Sequence, residues 1–327
     1  MNELSIIEKA PSLSKNSLIE FLRFIMAWSV LIFHGFMPFT AKFLDMGISC
    51  VSVDFFLLLG GFLFASTYQK IESLAFKKGF LTLLGRRIKR LGLPFLIALI
   101  FALYNTISMN HIGWLFGYLW FIPVEIIGQL IIYSLIKLLK SKKVLISVLF
   151  CFAILGYVYF YLMPPEYDFY PQGGYAIYFD NLWPILGYPL RGLGGVFIGY
   201  LLTFIPKIEN PKLTTTLAII SFALVLGVSF MTFFPYKEPI LLVLFALSIY
   251  FLFQINFSFP LFNFLGAISF GLYIFQTIGS TLRTQQNVSP DVVLMVIILI
   301  SVLSQPQAFS DLLKFKKKKA RESRLNN

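Results

Sequence analysis

The stretch EFLRFIMAWSVLIFHGF, residues 20–36, sets Glu20, Arg23 and His34 in an otherwise apolar run. Arg23 and His34 are 11 residues apart. On an α-helix that spacing is three turns and roughly 20°, so both side chains share a face about 16 Å apart along the axis. Glu20, three residues before Arg23, is placed to pair with it. Holding an ionisable group at mid-bilayer costs at least about 2.5 to 3.5 kcal/mol on insertion scales, so such groups face a protein interior and mark function. An imidazole titrates near neutrality, and an adjacent carboxylate can orient it to take a proton from a hydroxyl, as acyl transfer requires. Asp54 is the preferred orienter and Glu125 the second. The other assignment of this face, an ion pair with a packed core histidine, loses ground once the remaining segments are placed.

Four further apolar segments each bring a polar group: Asp54, Glu125, Arg191 and Gln276. Counted from the expected outer ends at 1.5 Å per residue, these groups and His34 fall about 6 to 12 Å below one membrane surface. Such convergence suits a reaction site better than scattered structural pairs. On the opposite side, KKGFLTLLGRRIKRLGLP gathers Lys77, Lys78, Arg86, Arg87, Lys89 and Arg90. Arg87 and Arg90, at i and i+3, share a helical face whose forked guanidinium groups match phosphate oxygens. No metal site is expected, because the chain has two histidines and His111 falls in a short external loop. Cys50 and Cys151 have neither metal nor disulfide-framework spacing and read as small apolar residues.

The elements that must position these groups are membrane helices. Of the 327 residues 58% are hydrophobic and 13% charged, where soluble domains carry about 25% charged residues. The mean hydropathy is +0.80. Runs of about 20 apolar residues span the hydrocarbon, and ten are marked: 17–38, 48–68, 93–109, 117–139, 144–163, 185–205, 213–233, 238–255, 261–282 and 291–309. With the N-terminus inside, 22 of the 27 Lys and Arg fall in cytoplasmic segments and Lys42, Lys237 and Arg283 outside, leaving Arg23 and Arg191 within the membrane. The expected fold is therefore all-α and polytopic, with both termini cytoplasmic. It comprises a tail over 1–16, a membrane domain over 17–309 and a basic tail over 310–327. No removable signal peptide is expected. The net charge of +12 is a positive-inside signal that also suits anionic lipid, and nucleic acid is not an expected partner. The external connection 164–184, with Glu166, Asp168 and Asp180 among aromatics, reads as an interfacial belt or a platform for sugar rings.

These residues resemble the acyltransferase-3 family of bacterial membrane proteins over nearly the whole chain. Arg23 and His34 are similar to its Arg, ten residues, His pattern. SVDFFLLLGGFL (52–63) resembles VDFFFVLSGFL, with Gly60 where Ser is usual. RIKR (87–90) resembles its Arg-x-x-Arg, and LWFIPVEIIGQL resembles WSLxVEEQFYL with Trp120 and Glu125 in register. LGAISFGLYIFQ (265–276) resembles LGxxSYxLYLxH, retaining Gly266, Ser269, Leu272 and Tyr273 but carrying Gln276 in place of histidine.

The resemblance implies an O-acyltransferase of the bacterial plasma membrane. It would move an acyl group, acetyl by preference, from acetyl-CoA to a lipid-linked glycan or nascent polysaccharide beside polysaccharide-assembly proteins. Members with longer chains append an external acyl-receiving domain, and a stand-alone enzyme is expected here. Arg86, Arg87 and Arg90 would hold the coenzyme's phosphates, and Arg23 would assist the donor. His34 would be the base, while Arg191, Gln276 and Tyr273 would bind substrate, the first two at the thioester oxygen. A competing class is a secondary transporter or glycan flippase with Glu20, Asp54 and Glu125 as coupling sites, although the two halves show no internal repeat. A third is an envelope scaffold.

Overall fold

The computed structural model describes residues 16–33, 47–108, 119–139, 141–162, 182–231, 237–310 and 312–313. His34, His111, most of the aromatic connection 164–184 and the two expected tails lie outside the described residues, as does the side chain of Cys50. Among the described residues the chain is helical, without strands: α1 (Ser17–Phe33), α2 (Gly47–Gln69), α3 (Phe76–Ser108), α4 (Phe121–Leu138), α5 (Lys142–Tyr161), α6 (Leu182–Leu201), α7 (Pro211–Phe230), α8 (Lys237–Leu252), α9 (Pro260–Ile274), α10 (Gln276–Gln286) and α11 (Pro290–Leu303).

Among these, three helices are long and apolar enough to cross a membrane: Phe121–Leu138, Lys142–Tyr161 and Pro211–Ser229. The count reaches five if the bent pairs Phe76–Lys89 with Pro94–Ser108 and Pro260–Ile274 with Gln276–Arg283 are each one span. These five cover the expected third, fourth, fifth, seventh and ninth spans. The other expected spans are helical over shorter or less apolar stretches, such as the 17 residues of α1 and the 14 of α11. At 1.5 Å per residue, 17 residues rise about 25 Å against a hydrocarbon core near 30 Å.

Local chemistry sets the boundaries. Asn210 caps α7 by accepting hydrogen bonds from the Lys212 and Leu213 amides at 3.0 and 3.2 Å, with Pro211 in the first turn where its missing N–H is harmless. Lys237, placed in an external loop by the charge pattern, is buried at the start of α8. Its Nζ donates to the Met231 and Ser229 carbonyls at 2.6 and 3.4 Å, complementing the negative end of α7. The 72° break in α3 has two causes. Gly92 adopts φ 49°, ψ −150°, and Pro94 has no N–H for the helix and crowds the preceding turn. The basic segment therefore forms a helix of its own ahead of the apolar Pro94–Ser108.

The chain forms two compact units. The described part of the first holds residues 53–108, 119–139, 141–162, 182–209 and 245–250. In it α6 packs on α5 and α4, and α3 on α4. Glycines allow unusually close backbone approach there: a Cβ on Gly61 would run into the Val196 carbonyl, one on Gly199 into the Leu58 carbonyl, and one on Gly156 into the Leu190 carbonyl. Small residues of this kind are what membrane helices use to pack backbone on backbone. The described part of the second unit holds residues 16–33, 47–52, 210–231, 237–244 and 251 onward. In it α9 packs on α1 and α11.

Gly199→Ala should lower stability by about 1 to 3 kcal/mol, because the added methyl meets a carbonyl that must move. Gly227→Ala, where a Cβ meets nothing within 4 Å, should raise it by about 0.5 to 1 kcal/mol through helix propensity. Unfolding of the two purified variants in one detergent measures both.

Candidate active site

Asp54 of α2 and Arg191 of α6 meet inside the first unit, and both are buried. The Arg191 Nε donates to Asp54 Oδ1 and Oδ2 at 3.2 and 3.1 Å, and Nη2 donates to Oδ2 at 2.5 Å. The Tyr157 hydroxyl of α5 donates to Oδ1 at 3.4 Å, and the Phe160 ring lies 4.3 Å from the guanidinium carbon. A buried charge is tolerable only when paired and hydrogen-bonded. Here a fork of N–H groups, a phenol and an aromatic face supply that environment. The sequence places Asp54 and Arg191 at one depth; the structure makes them partners, with both carboxylate oxygens engaged.

Glu125 of α4 is held from within its own helix and from α2. Gln129, one turn on, donates through Nε2 to Glu125 Oε1 at 2.9 Å and to the Gly60 carbonyl at 3.1 Å. A Cβ built on Gly60 would lie 2.6 Å from Glu125 Oε1, so the bare backbone at this position is what lets the carboxylate rest against α2. Arg87 Nη1 stands 4.0 Å from the same oxygen, Oε1. Arg86 and Lys89 are exposed, and Arg90 follows on the same helix.

The end of α4 anchors this basic helix. The Tyr133 hydroxyl donates to the Phe76 carbonyl at 3.2 Å, and Gly79 leaves room for that hydroxyl. Lys137 Nζ donates to the Glu72 and Leu74 carbonyls at 2.6 and 3.3 Å. Sequence reasoning missed Gln129, Tyr133, Tyr157 and Lys137 as positioning groups. Only Lys137 left a trace, as a basic residue in a helix's last turn.

In the second unit α1 and α9 run side by side in the same direction. The Ser17 amide donates to the Phe257 carbonyl at 2.9 Å, Ser17 Oγ to Asn263 Oδ1 at 2.8 Å, and Phe21 stacks on Phe262 at 4.4 Å. Arg23 Nη1 pairs with Glu20 Oε2 at 2.7 Å, the i, i+3 contact that the spacing predicts. Gly266 lies against this turn, where its Cβ would come within 2.8 Å of the Glu20 Cα. Tyr273, Ser269 and Gln276 are buried farther along. Among the described residues no three His, Cys, Asp or Glu side chains gather as metal ligands would.

Residues 16–304 match the model of the acyltransferase-3 family, described as an acyltransferase domain. The chain belongs to this family. No curated protein and no solved structure matches it. Within this membrane acyltransferase the family-like segments acquire physical roles. Asp54 of VDFF holds Arg191, Glu125 of the VE segment faces Arg87 of the Arg-x-x-Arg, and Gly266 admits α1.

The buried pair gives a direct test in this acyltransferase. Arg191→Leu alone should destabilise the protein by about 3 to 5 kcal/mol, since it strands a buried carboxylate. Adding Asp54→Leu should restore most of that loss. Yield of monodisperse protein and its unfolding temperature measure both variants.

Proposed function

We propose that this acyltransferase moves an acetyl group from acetyl-CoA to a hydroxyl of a lipid-linked glycan or nascent surface polysaccharide, in the bacterial plasma membrane. The observation that carries the donor assignment is the basic helix ahead of the Gly92 break. Arg86 is exposed and Arg87 partly so, about two helical turns ahead of the apolar Pro94–Ser108, and Lys77, Lys78 and Lys89 are exposed on the same helix. Phosphates of a coenzyme are anions that guanidinium forks bind in two-pronged fashion, while the acyl end must leave water for the membrane. Arg87, Arg90 and Arg86 take the phosphates in this reading, and Glu125 opposite Arg87 keeps that side chain extended until the donor arrives.

His34 is the proposed base, and it lies outside the described residues. It removes the acceptor hydroxyl's proton as the oxygen attacks the thioester carbonyl; the C–S bond then breaks and the coenzyme leaves as a thiol after taking up a proton. The i, i+3 pairing of Arg23 with Glu20 keeps a cation on the α1 face that carries His34 by sequence spacing. Ten spans with both termini cytoplasmic put the basic helix and the basic tail on the side where coenzyme A is found.

His34→Ala in a host whose own copy is deleted should lower ester-linked acetyl on the surface glycan by about 10² to 10⁴-fold, the usual contribution of a general base. Unchanged acetylation at normal protein level would defeat the role. The donor assignment has its own measurement: Arg86→Gln with Arg87→Gln should raise KM for acetyl-CoA in membrane vesicles at least about tenfold, with little change in maximal rate.

A further inference from the structure

Gln276 begins α10 where the chain bends by 45° after α9. The residue is fully buried, and neither Oε1 nor Nε2 has a partner among the described residues. Its polar neighbours do not supply one. Thr277 Oγ1 donates to the Ile274 carbonyl at 3.1 Å, Thr281 Oγ1 to the Thr277 carbonyl at 3.0 Å, and Ser269 Oγ to the Gly266 carbonyl at 2.7 Å. Each of these hydroxyls donates to a carbonyl three or four residues earlier in the chain. A stranded buried polar atom destabilises the fold, and this side chain strands two. A methionine would fill nearly the same volume without that cost. A buried amide with both polar atoms unanswered among the described residues is a candidate to bind a group from outside the protein.

The shape of the group narrows what that is. A carboxamide presents one acceptor and one donor side by side in a plane, and carries no charge at any physiological pH. A thioester oxygen would satisfy Nε2 alone and leave Oε1 stranded. A phosphate or carboxylate would likewise leave Oε1 facing an acceptor. Two neighbouring hydroxyls on one sugar ring satisfy both atoms, one donating to Oε1 and the other accepting from Nε2. We propose that Gln276 binds a vicinal diol of the acceptor sugar and so selects the ring that is acylated. This assignment rests on the glycan-acylation reading above and replaces the thioester oxygen with the acceptor as Gln276's partner.

The test uses the full chain with Gln276→Met and Gln276→Asn. Purified in detergent without substrate, Gln276→Met should unfold at the same temperature as the unaltered protein or higher, because the stranded amide is gone. In the deletion host the same variant should lower glycan acetylation at least about tenfold, the loss of two neutral hydrogen bonds. Gln276→Asn, which keeps the amide but withdraws it by one methylene, should fall between. KM for acetyl-CoA in vesicles should not move. A lower unfolding temperature for Gln276→Met would make the amide a structural group, and unchanged acetylation would make it an idle one; either overturns the proposal. A raised KM for acetyl-CoA at unchanged maximal rate would transfer Gln276 to the donor and overturn it as well. Absence of glycan acetylation by the unaltered protein would remove the acyl-transfer reading itself, and this assignment with it. Acetylation by the unaltered protein that survives in Gln276→Met removes only the assignment.

Discussion

A carboxylate and a guanidinium withdrawn from both water and lipid have to satisfy each other, and the first compact unit is arranged around that requirement. Asp54 and Arg191 come from helices 137 residues apart in sequence, and they meet through three N–H···O contacts. For the pair to form, α6 must lie within backbone distance of α2, which Gly61 and Gly199 permit. Tyr157 and Phe160 then close the remaining sides from α5, whose own approach depends on Gly156. The electrostatic demand and the small-residue packing are thus one constraint. Without close backbones the charges are too far apart, and without the pair the buried charges are intolerable.

The second organising feature is the break in α3. A helix continuing straight through residue 92 would carry its arginines along one axis with the apolar segment. The left-handed Gly92 and Pro94 instead turn the chain by 72°, and α4 fastens the basic half by Tyr133 and Lys137. A cluster of cations and an apolar helix need different surroundings, and a hinge of two special residues lets consecutive stretches of one chain have both.

Two departures from the family's usual residues are informative for the same reason: each alters what a neighbouring polar group can touch. Gly60 removes a side chain from the surface against which Glu125 rests, so that Gln129 can bridge the Glu125 carboxylate and the Gly60 carbonyl. Gln276 puts a neutral amide where a titratable ring is usual, with its acceptor and donor unanswered among the described residues. Gln129 Nε2 is answered by Gly60 and Glu125, while among the described residues neither polar atom of Gln276 is.

Composition and spacing alone made the all-helical membrane class legible, because the hydrocarbon demands long apolar runs and the charge count leaves no alternative. The Glu20–Arg23 pair was equally legible, since helical geometry makes residues three apart neighbours wherever the helix lies. Depth along each helix could be counted, and it brought Asp54 and Arg191 to one level. Which groups at that level touch could not be counted. Lateral neighbours depend on which helices pack and how each is rotated, and that is settled by glycines meeting carbonyls on other helices. The sequence therefore determined the class of fold, the order of its apolar segments and the residues able to carry chemistry. Only the tertiary structure decided that Asp54 holds Arg191, that Glu125 faces Arg87, and that Gln276 is buried with no partner among the described residues, because a contact between residues far apart in sequence has no local signature.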